Sequence, residues 1–582
     1  MSNPETTRAS HAEPGTVFLI PNELSLPRLL WHALSGNQPV LLPPAPIIPR
    51  MRGVVSLVGD WFIRKNWAQD VFNRHDSLLP HKDSDFYALR SDIFLRTEPW
   101  LADYFGFSEA EKRLGEDARP FRHLACIYIS TRYSIMQILH HLSLHDSGSV
   151  VGLEPETAAL YQAYYGKALS LPARKAVRLT VLINTLLWLA FTIAGLLWLL
   201  ARLRRAPEVR TWHLACDFAA DPRDVDLWKK AMGNRASEVL ILLRNRAQEI
   251  DARRLLPPFA WTNLEQSQIS LAHAPGLVLL LLRRATVLLP RLTSLPPTLF
   301  YMLAALPWRR VQTRALLLIN HFTYFWGRDD YNVEHILRNQ ELRKMGGQSI
   351  GINHGIDVCS LVSPQWRHID FDTYFVFGRH HYQKYCKAAW PAKMQVIPVG
   401  SFGRQIPKDT RCDSQDIMVL VSIDPANARI VQTVLALSAA FPMRRILVKL
   451  KHRREQVITQ IVEPLAGAPS NVVLTDGDFY ELLKEVRYVF GTATTAVAEA
   501  IQYGKFSFAL DYYEAEQPFL YRDFPDMIVD SAETAINRIR GIEDGSWRYP
   551  RERFAELIEL DPEPFIDAFS RAIGLSTKSA HA

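Results

Sequence analysis

Short apolar runs alternate with amphipathic stretches along most of the chain, and this alternation predicts parallel α/β structure. Residues 16–20 and 39–42 are apolar runs of strand length, separated by a helical pattern for which Ser25 is the expected cap. Strand-length runs resume at 315–320 and recur as far as residue 510. We therefore expect parallel sheets whose strands are joined by right-handed helical crossovers.

The longest apolar stretch, residues 179–201, contains no charged residue. At about 1.5 Å per helical residue, it is long enough to cross the hydrocarbon core of a bilayer. Basic residues flank both of its ends, at Arg174, Lys175, Arg178, Arg202, Arg204 and Arg205. We expect this stretch to contact a membrane.

Two membrane arrangements remain open, because positive charge at both ends does not choose an orientation. In one, the helix lies in or re-enters the membrane and both flanks are cytoplasmic; in the other, it crosses once and residues 1–178 lie outside. The first is favoured, since residues 16–42 have the pattern of the same α/β layer as the later strands and no export signal precedes them. A second apolar region, 275–308, is interrupted by arginines and prolines and predicts interfacial helices.

The net charge and the cysteine content indicate which binding partners and which cellular compartment to expect. The chain of 582 residues is too long for one ordinary core, and its net charge of +7 suits an anionic membrane or a phosphorylated substrate. Zinc-finger spacing and RNA-binding motifs are missing, so no nucleic-acid partner is expected. Five cysteines without CxxC spacing favour a reducing compartment. The sequence contains no metal-protease, Walker A or nucleophile-elbow motif, and we expect neither a metal nor a cofactor.

The clearest candidate for chemistry is residues 488–505, where an apolar strand turns into a helix. Free N–H groups at a helix N-terminus favour an anion, and nearby hydroxyls add donors, so this turn suits a diphosphate. A carboxylate one turn later is placed to accept a hydrogen bond from a ribose hydroxyl. The alternative is an ordinary capped strand–turn–helix. The residues concerned are Gly491, Thr492, Thr494, Thr495 and Glu499.

Three short motifs carry a family resemblance: Gly-Ile-Asn-His-Gly-Ile at 351–356, Phe-Val-Phe-Gly at 375–378 and Ile-Pro-Val-Gly at 397–400. Together they resemble the bacterial surface-polysaccharide glycosyltransferases of the two-Rossmann GT-B type and the related CDP-glycerol phosphotransferases. Residues 447–452 are similar to the Lys-x-His-Pro segment of that family, although Arg453 replaces the proline and the spacing is longer. The resemblance covers roughly residues 310–515.

The resemblance implies an α/β fold with two Rossmann-like, GT-B-like domains. The apolar stretch adds a helical membrane-associated insertion, which lies outside the resemblance, as do residues 43–145. Together they divide the chain into an N-terminal α/β and helical region, a membrane insertion with an α/β segment at 210–246, the remainder of an acceptor domain, and a nucleotide-binding domain. The boundaries expected for these four parts are 1–178, 179–310, 311–405 and 406–582.

The resemblance also assigns roles to residues. His354 is the expected base or acceptor-orienting group, with Asp357 either orienting it or capping the next turn; the alternative for His354 is a histidine that satisfies a turn. Cations are expected at the donor diphosphate in place of a metal, at Lys449, Lys451, His452 and Arg453. The alternative for these four is a solvated charged turn after a strand. Arg379 and Arg404 are candidate cleft cations.

The function implied is a membrane-associated glycosyltransferase on the cytoplasmic face of a bacterial inner membrane. It would use a nucleotide-sugar donor and a lipid-linked or membrane-proximal glycan acceptor in capsule, lipopolysaccharide or exopolysaccharide synthesis. One alternative is a CDP-alditol phosphotransferase of the same fold. Another is a non-catalytic membrane subunit of a polysaccharide assembly complex, which the altered Lys-x-His-Pro segment favours. A nucleotide-sugar epimerase is disfavoured, because a soluble substrate gives no reason for a membrane helix.

Overall fold

A computed structural model gives the structure of most of the chain. The residues it describes are 16–23, 25–35, 38–45, 49–74, 87–146, 148–171, 173–174, 179–205, 207–217, 222–244, 246–263, 267–356, 364–402, 414–421, 426–451, 457–492, 494–512 and 519–575. They form two compact units. Unit 1 is drawn from Met1–Phe86, Ile93–Ala201 and Pro275–Val311, and unit 2 from Tyr87–Asp92, Arg202–Ala274 and Gln312–Ala582.

The strands are short, and every pairing between them is parallel among the described residues. In chain order they are β1 (Thr16–Leu19), β2 (Val40–Leu41), β3 (Gln69–Asp70), β4 (Gly148–Val151), β5 (Ala173–Arg174), β6 (Leu203–Arg204), β7 (Arg210–Asp217), β8 (Val239–Leu243), β9 (Ala260–Asn263), β10 (Ile269–Ser270), β11 (Asn320–Gly327), β12 (Gln348–Ile352), β13 (Thr373–Val376), β14 (Gln395–Pro398), β15 (Ile417–Val421), β16 (Ile446–Leu450), β17 (Val472–Thr475), β18 (Tyr488–Gly491), β19 (Phe506–Leu510) and β20 (Ile528–Val529).

Helices fill most of the intervals between the strands. In chain order they are α1 (Leu26–Leu34), α2 (Arg52–Arg64), α3 (Val71–Arg74), α4 (Tyr87–Tyr104), α5 (Phe107–Leu114), α6 (Ala118–Ser130), α7 (Tyr133–His145), α8 (Pro155–Tyr165), α9 (Thr180–Ala201), α10 (Pro222–Met232), α11 (Glu249–Leu255), α12 (Ala274–Thr286), α13 (Pro297–Ala304), α14 (Leu306–Ile319), α15 (Val333–Lys344), α16 (Arg379–His381), α17 (Asn427–Ala440), α18 (Phe479–Leu483), α19 (Thr495–Gln502), α20 (Ala532–Asp544) and α21 (Phe565–Ala572).

Unit 1 contains a five-stranded sheet in the order β3-β2-β1-β4-β5. Phe18 of β1 lies opposite Val40 and Val150, and all three are buried in its core. The expectation that residues 16–42 belong to the same α/β layer as the later strands is therefore wrong. Apolar alternation identified these strands correctly, but it carries no information about which sheet a strand joins.

Unit 2 contains two larger sheets. The first has the order β14-β13-β12-β11-β7-β8-β9, and the second has the order β17-β16-β15-β18-β19-β20. Trp326 and Phe375 are fully buried in the core of the first, and Val419 and Phe490 in the core of the second. Unit 2 is thus α/β with two parallel-sheet, Rossmann-like domains, an arrangement consistent with the GT-B fold.

The predicted strand at 315–320 is wrong, because these residues form the last turns of α14 and the first residue of β11. The run Ala-Leu-Leu-Leu-Ile is short and apolar on every side, so its periodicity does not distinguish a buried helix from a buried strand. The true strand, β11, follows directly and pairs with β7 and β12 in the middle of the seven-stranded sheet.

The chain returns to the first sheet of unit 2 at its end. Phe569 of α21 packs against Trp326 with ring centroids 5.0 Å apart. The Nε2 atom of His213, on β7, lies 2.9 Å from the carbonyl oxygen of Ile573. The division at residue 406 assigned α21 to the second domain, whereas this helix packs on the sheet of the first.

Candidate active site

The carboxyl ends of the two sheets in unit 2 meet through direct hydrogen bonds. After β12, the backbone N–H of Ile356 donates to the hydroxyl oxygen of Thr495, on α19, across 3.0 Å. After β14, the backbone N–H of Ser401 donates to Oε1 of Gln502, at the other end of α19, across 2.9 Å. Ligands of open α/β sheets bind at this edge. The loops after β12 and β14 and helix α19 therefore meet at the edge where ligands of this kind of sheet bind, and we call this place the cleft.

Gln502 connects three segments at one side of the cleft. Its side chain is buried, and its Nε2 donates to the carbonyl oxygen of Glu559 across 2.8 Å. Gly400 lies against this amide with φ of +68°, and a Cβ at that position would stand 2.0 Å from Nε2. Glycine is required here both for the backbone conformation and for the close approach.

Glu499 is held by hydroxyl groups from both domains. Its Oε1 accepts from the hydroxyl of Ser401 across 2.6 Å and from the hydroxyl of Tyr480 across 3.1 Å. Burial raises the pKa of Glu499, while these two hydrogen bonds and the nearby Arg223 lower it. No described residue donates to the second carboxylate oxygen, Oε2. That oxygen keeps its capacity to accept a hydrogen bond from a ligand.

Three cations approach His354 from both domains. Partial desolvation, and then Arg328, Lys451 and Arg223, lower the pKa of the exposed His354 side chain. Arg328 follows β11, Arg223 lies in the first turn of α10, and Lys451 follows β16. Because protonation is disfavoured among cations, His354 is neutral near pH 7 and able to accept a proton.

An aromatic ring organises two of these cations. The guanidinium carbons of Arg328 and Arg223 lie 4.7 and 5.6 Å from the ring centroid of Phe402. Arg328 also pairs with the buried Asp224 across 3.1 Å. Stacking and ion pairing restrict the rotamers of these long side chains, so little conformational entropy is left to lose when an anion binds.

Buried ion pairs support the first sheet beneath this cluster. Asp217 at the end of β7 pairs with Arg244, whose Nη1 donates to the hydroxyl of Tyr331 across 3.0 Å. The Tyr331 ring packs against the ring of His354 with centroids 5.6 Å apart. Asp329 pairs with Arg338 through two hydrogen bonds of 2.7 and 3.0 Å. These contacts fix the turn after β11 and one side of His354.

Asp330 is a second buried carboxyl in the same turn. Its Oδ2 accepts from the hydroxyl of Tyr374 across 2.6 Å. Burial raises the pKa of Asp330 to about 7.

In the described residues, no group of three or more His, Cys, Asp or Glu side chains has the arrangement of a metal site.

The threonines of the predicted diphosphate turn have structural partners. Thr494 caps α19 by accepting from the N–H of Ala496, and Thr492 is buried. The hydroxyl of Thr495 accepts from Ile356, which leaves its own proton for another acceptor. Gly491 is tightly packed, since a Cβ there would lie 2.9 Å from Val497. Gly491, Thr494 and Thr495 therefore have structural roles in addition to lining the cleft.

The remaining predicted site residues lie in different places. Lys451 lies with the cluster around His354. The ammonium of Lys449 instead donates to the carbonyl oxygen of Leu450 across 2.9 Å, and burial lowers its pKa. Arg379 is exposed at the start of α16. Outside the described residues lie Asp357, Arg404, His452 and Arg453.

Sequence reasoning missed Arg223, Arg328, Ser401, Phe402 and Tyr480. Two of them had a usable signal. Arg328 follows Gly327 at the end of a strand, and Arg223 opens the helix after the strand at 210–217. Both positions are at the carboxyl edge of a parallel sheet, where ligands bind. Tyr480 gave no such signal, because its contact with Glu499 depends on how α18 packs beside α19.

No family model matches the chain. No curated protein matches it either. Among solved structures it is similar to UDP-GlcNAc 2-epimerase from Neisseria meningitidis, bound to UDP-GlcNAc, with 10% identity over 63% of this chain and 98% of that one, and a TM-score of 0.40. It is also similar to Acinetobacter baumannii MurG, with 13% identity over 64% and 100% of the two chains and a TM-score of 0.35. A third similar structure is Phytolacca americana UGT2 complexed with UDP-2fluoro-glucose and pterostilbene, with 11% identity over 63% and 99% and a TM-score of 0.36.

Proposed function

We propose that unit 2 binds a nucleotide-activated sugar in its cleft and transfers the sugar to a hydroxyl group of an acceptor. The observation that carries this proposal is the set of Arg223, Arg328 and Lys451 around a neutral His354. Cations from two domains suit a diphosphate, and Glu499, whose Oε2 accepts from no described residue, suits a ribose hydroxyl. Nucleotide-sugar glycosyltransferases and epimerases share the GT-B fold. The fold therefore does not distinguish these two activities, and analysis of the reaction products does.

In the proposed reaction, the acceptor oxygen forms a bond to the anomeric carbon while the bond from that carbon to the diphosphate oxygen breaks. The bonding electron pair leaves with the nucleoside diphosphate, where the three cations stabilise the added negative charge. His354 takes the proton of the acceptor hydroxyl at its free ring nitrogen. The lowered pKa of His354 keeps that nitrogen unprotonated before the reaction.

We place the acceptor at a membrane. Within the described residues, one helix, α9, is long and apolar enough to cross a bilayer. The proposed acceptor is a lipid-linked or membrane-proximal glycan, and the proposed location is the cytoplasmic face of a bacterial inner membrane. An anchored enzyme keeps its cleft near an acceptor that does not leave the lipid.

The first test measures nucleotide binding to detergent-solubilised protein by thermal shift, with UDP, CDP, GDP and CMP. A ligand that binds only the folded state raises the midpoint, with about 2.7 kcal/mol of stabilisation at a hundredfold excess over Kd. Glu499→Gln and Lys451→Ala are expected to lose the shift. The matched exposed controls Glu533→Gln and Lys393→Ala are expected to keep it. No shift with any nucleotide in the wild type would favour the non-catalytic subunit.

The second test identifies the product. A sugar transferase releases a nucleoside diphosphate in proportion to acceptor, whereas a CDP-alditol phosphotransferase releases CMP. An epimerase converts the donor to a diastereomer and releases no nucleotide at turnover. Product analysis by chromatography and mass spectrometry on membranes that contain the protein separates the three outcomes, and only the first supports transfer of a sugar.

A further inference from the structure

One side of α9 is covered by protein from Asn184 to Leu199. The buried amide of Asn184 donates to the carbonyl oxygens of Leu292 and Leu295 across 2.9 and 3.0 Å. The indole of Trp188 donates to the carbonyl oxygen of Ala285 across 2.8 Å. Farther along the same face, three residues also pack inward: Phe191 against Tyr301, Gly195 against Leu281, and the buried Leu199.

The opposite side of α9 is apolar and exposed. Six large side chains at helical spacing are each between 41% and 66% exposed: Leu182, Leu186, Leu189, Ile193, Leu197 and Leu200. Leu279 and Leu282 of α12 are likewise exposed. Contiguous apolar surface of this kind marks a site of interaction with protein or lipid. We call the six α9 residues the outer stripe.

Charge favours lipid as the occupant. Residues 179–205 and 267–328 contain no Asp or Glu, and their charged residues are all arginines. Among them, Arg283 is exposed on α12. A protein interface has an apolar centre with a mixed polar rim. An uninterrupted apolar stripe on a segment whose own charged residues are all arginines instead suits acyl chains below anionic headgroups.

The helices that cover α9 are too short to accompany it across a bilayer. At about 1.5 Å per residue, the 22-residue α9 reaches across a hydrocarbon core of ~30 Å, but the 13-residue α12 and the 8-residue α13 do not. A crossing α9 would carry these helices, and the loop between them, partly into the hydrocarbon. The carbonyl and N–H groups of that loop would then lack water.

A buried ion-pair network lies beside the middle of α9. Arg284, next to the Ala285 carbonyl that Trp188 contacts, pairs with Glu116 and Asp117. The fully buried Arg310 pairs with Asp117 as well. A crossing helix would place this network, and the exposed Arg283, within the hydrocarbon, where arginine is strongly disfavoured. With α9 parallel to the surface, the network stays above the acyl chains.

We propose that unit 1 binds an anionic lipid bilayer as a monotopic module, with α9 lying in the plane of the interface and the outer stripe among the acyl chains. This inference deepens the membrane location put forward under the proposed function. If α9 lies in the plane of the interface, the chain before it and the chain after it are on the same side of the membrane. Nucleotide binding to unit 2 is measured without vesicles. A failure of membrane binding is therefore distinguishable from a failure of nucleotide binding.

The binding test uses flotation of the full-length protein with vesicles of phosphatidylcholine, with and without phosphatidylglycerol. We expect the wild type to float at least tenfold more with the anionic vesicles. Leu186→Glu combined with Ile193→Glu is expected to abolish flotation, because both side chains are exposed and the new charges stand on the outer stripe. Leu435→Glu, at an exposed leucine of α17 in unit 2, is the matched control and is expected to float normally. Equal flotation of the outer-stripe variant and the control would overturn the proposal.

The orientation test introduces one exposed cysteine at a time, in a background with Cys359 and Cys412 changed to serine and with the buried Cys126, Cys216 and Cys386 retained. Lys112→Cys reports the chain before α9, and Met443→Cys reports the chain after it; both positions are exposed. A membrane-impermeant maleimide is added to sealed vesicles of known orientation. Labelling of both sites from the same side supports the in-plane helix. Labelling from opposite sides would show that α9 crosses, and would overturn it.

Discussion

The hydroxyl of Ser401 donates to Glu499 across 2.6 Å and so joins the loop after β14 to α19. This bond fixes one carboxylate oxygen of Glu499 at the edge where both sheets of unit 2 end. A hydrogen bond to a charged group of this kind contributes about 1.5–3 kcal/mol.

Ser401→Ala is therefore expected to lower the thermal midpoint and weaken nucleotide binding together, because it removes a donor from a partly buried carboxylate. Differential scanning fluorimetry with and without nucleotide measures both effects. Ser237→Ala, at an exposed serine of unit 2, is expected to change stability by no more than about 0.5 kcal/mol. A Ser401→Ala protein that matches this control would show that the bond does not hold Glu499.

Gly400→Ala is expected to be severely destabilising. The new Cβ would meet Gln502 at 2.0 Å, and the positive φ of +68° adds backbone strain of about 1–2 kcal/mol. Gly346→Ala separates the two causes, since Gly346 has φ of +85° and a Cβ there meets nothing within 4 Å. We expect a much larger fall in midpoint for Gly400→Ala. Equal falls would mean that the contact with Gln502 is unimportant.

His354→Gln is expected to lower kcat by about 10²–10⁴-fold, because it removes the proton acceptor while leaving the cations in place. Nucleotide binding in the thermal-shift assay is expected to persist. In the wild type, kcat/KM is expected to fall on the acid side at a pH below the usual histidine value of about 6.5, since the pKa of His354 is lowered. His321→Gln, at an exposed histidine, is the control. If His354→Gln keeps the wild-type fall of kcat/KM at acid pH, that fall is due to the titration of another group.

Asp330 predicts a pH dependence of stability. Its pKa is raised to about 7 in the folded protein, against about 3.9 unfolded. Between these values the folded state binds more protons, so stability is greatest below about pH 4 for this group and falls as pH rises towards 7. The total decrease in the free energy of unfolding from this one group is at most about 4 kcal/mol.

Asp330→Asn is expected to remove that decline, because the amide stays neutral and its oxygen can still accept from Tyr374. Thermal midpoints of the wild type and the variant between pH 5 and 8 measure the difference, which is expected to favour the variant increasingly as pH rises. Parallel curves for the two proteins would contradict a raised pKa at Asp330.

Local patterns predicted the strands of unit 2 well, because each has an apolar run bounded by glycine or polar turns. The alternation predicts strands at 349–354, 374–377, 395–399, 417–422, 445–450, 471–474, 487–490 and 506–510, and β12 to β19 lie within a few residues of these positions. The failures have a common cause. Apolar alternation does not state which strands share a sheet, so β1 and β2 were placed in the wrong layer, and the short run at 315–320 did not distinguish helix from strand.

The candidate site was predictable where a residue lies just after a strand or on the helix that follows it, as Glu499 does on α19. His354 and Lys451 lie just after strands, and the structure brings them together. Phe402 and Tyr480 contribute through contacts between segments far apart in sequence: Phe402 stacks with Arg328, and Tyr480 donates to Glu499. Such contacts depend on the packing of whole domains, which spacing along the chain does not encode.

The return of the chain from Glu559 to α21 has a mechanical consequence. The two domains of unit 2 are joined covalently once between β14 and β15 and again before α21, and Gln502 is hydrogen bonded beside the second crossing. Two covalent connections between the same pair of domains restrict their relative motion more than a single connection does. The hydrogen bond from Gln502 to Glu559 adds a further restraint beside the second connection.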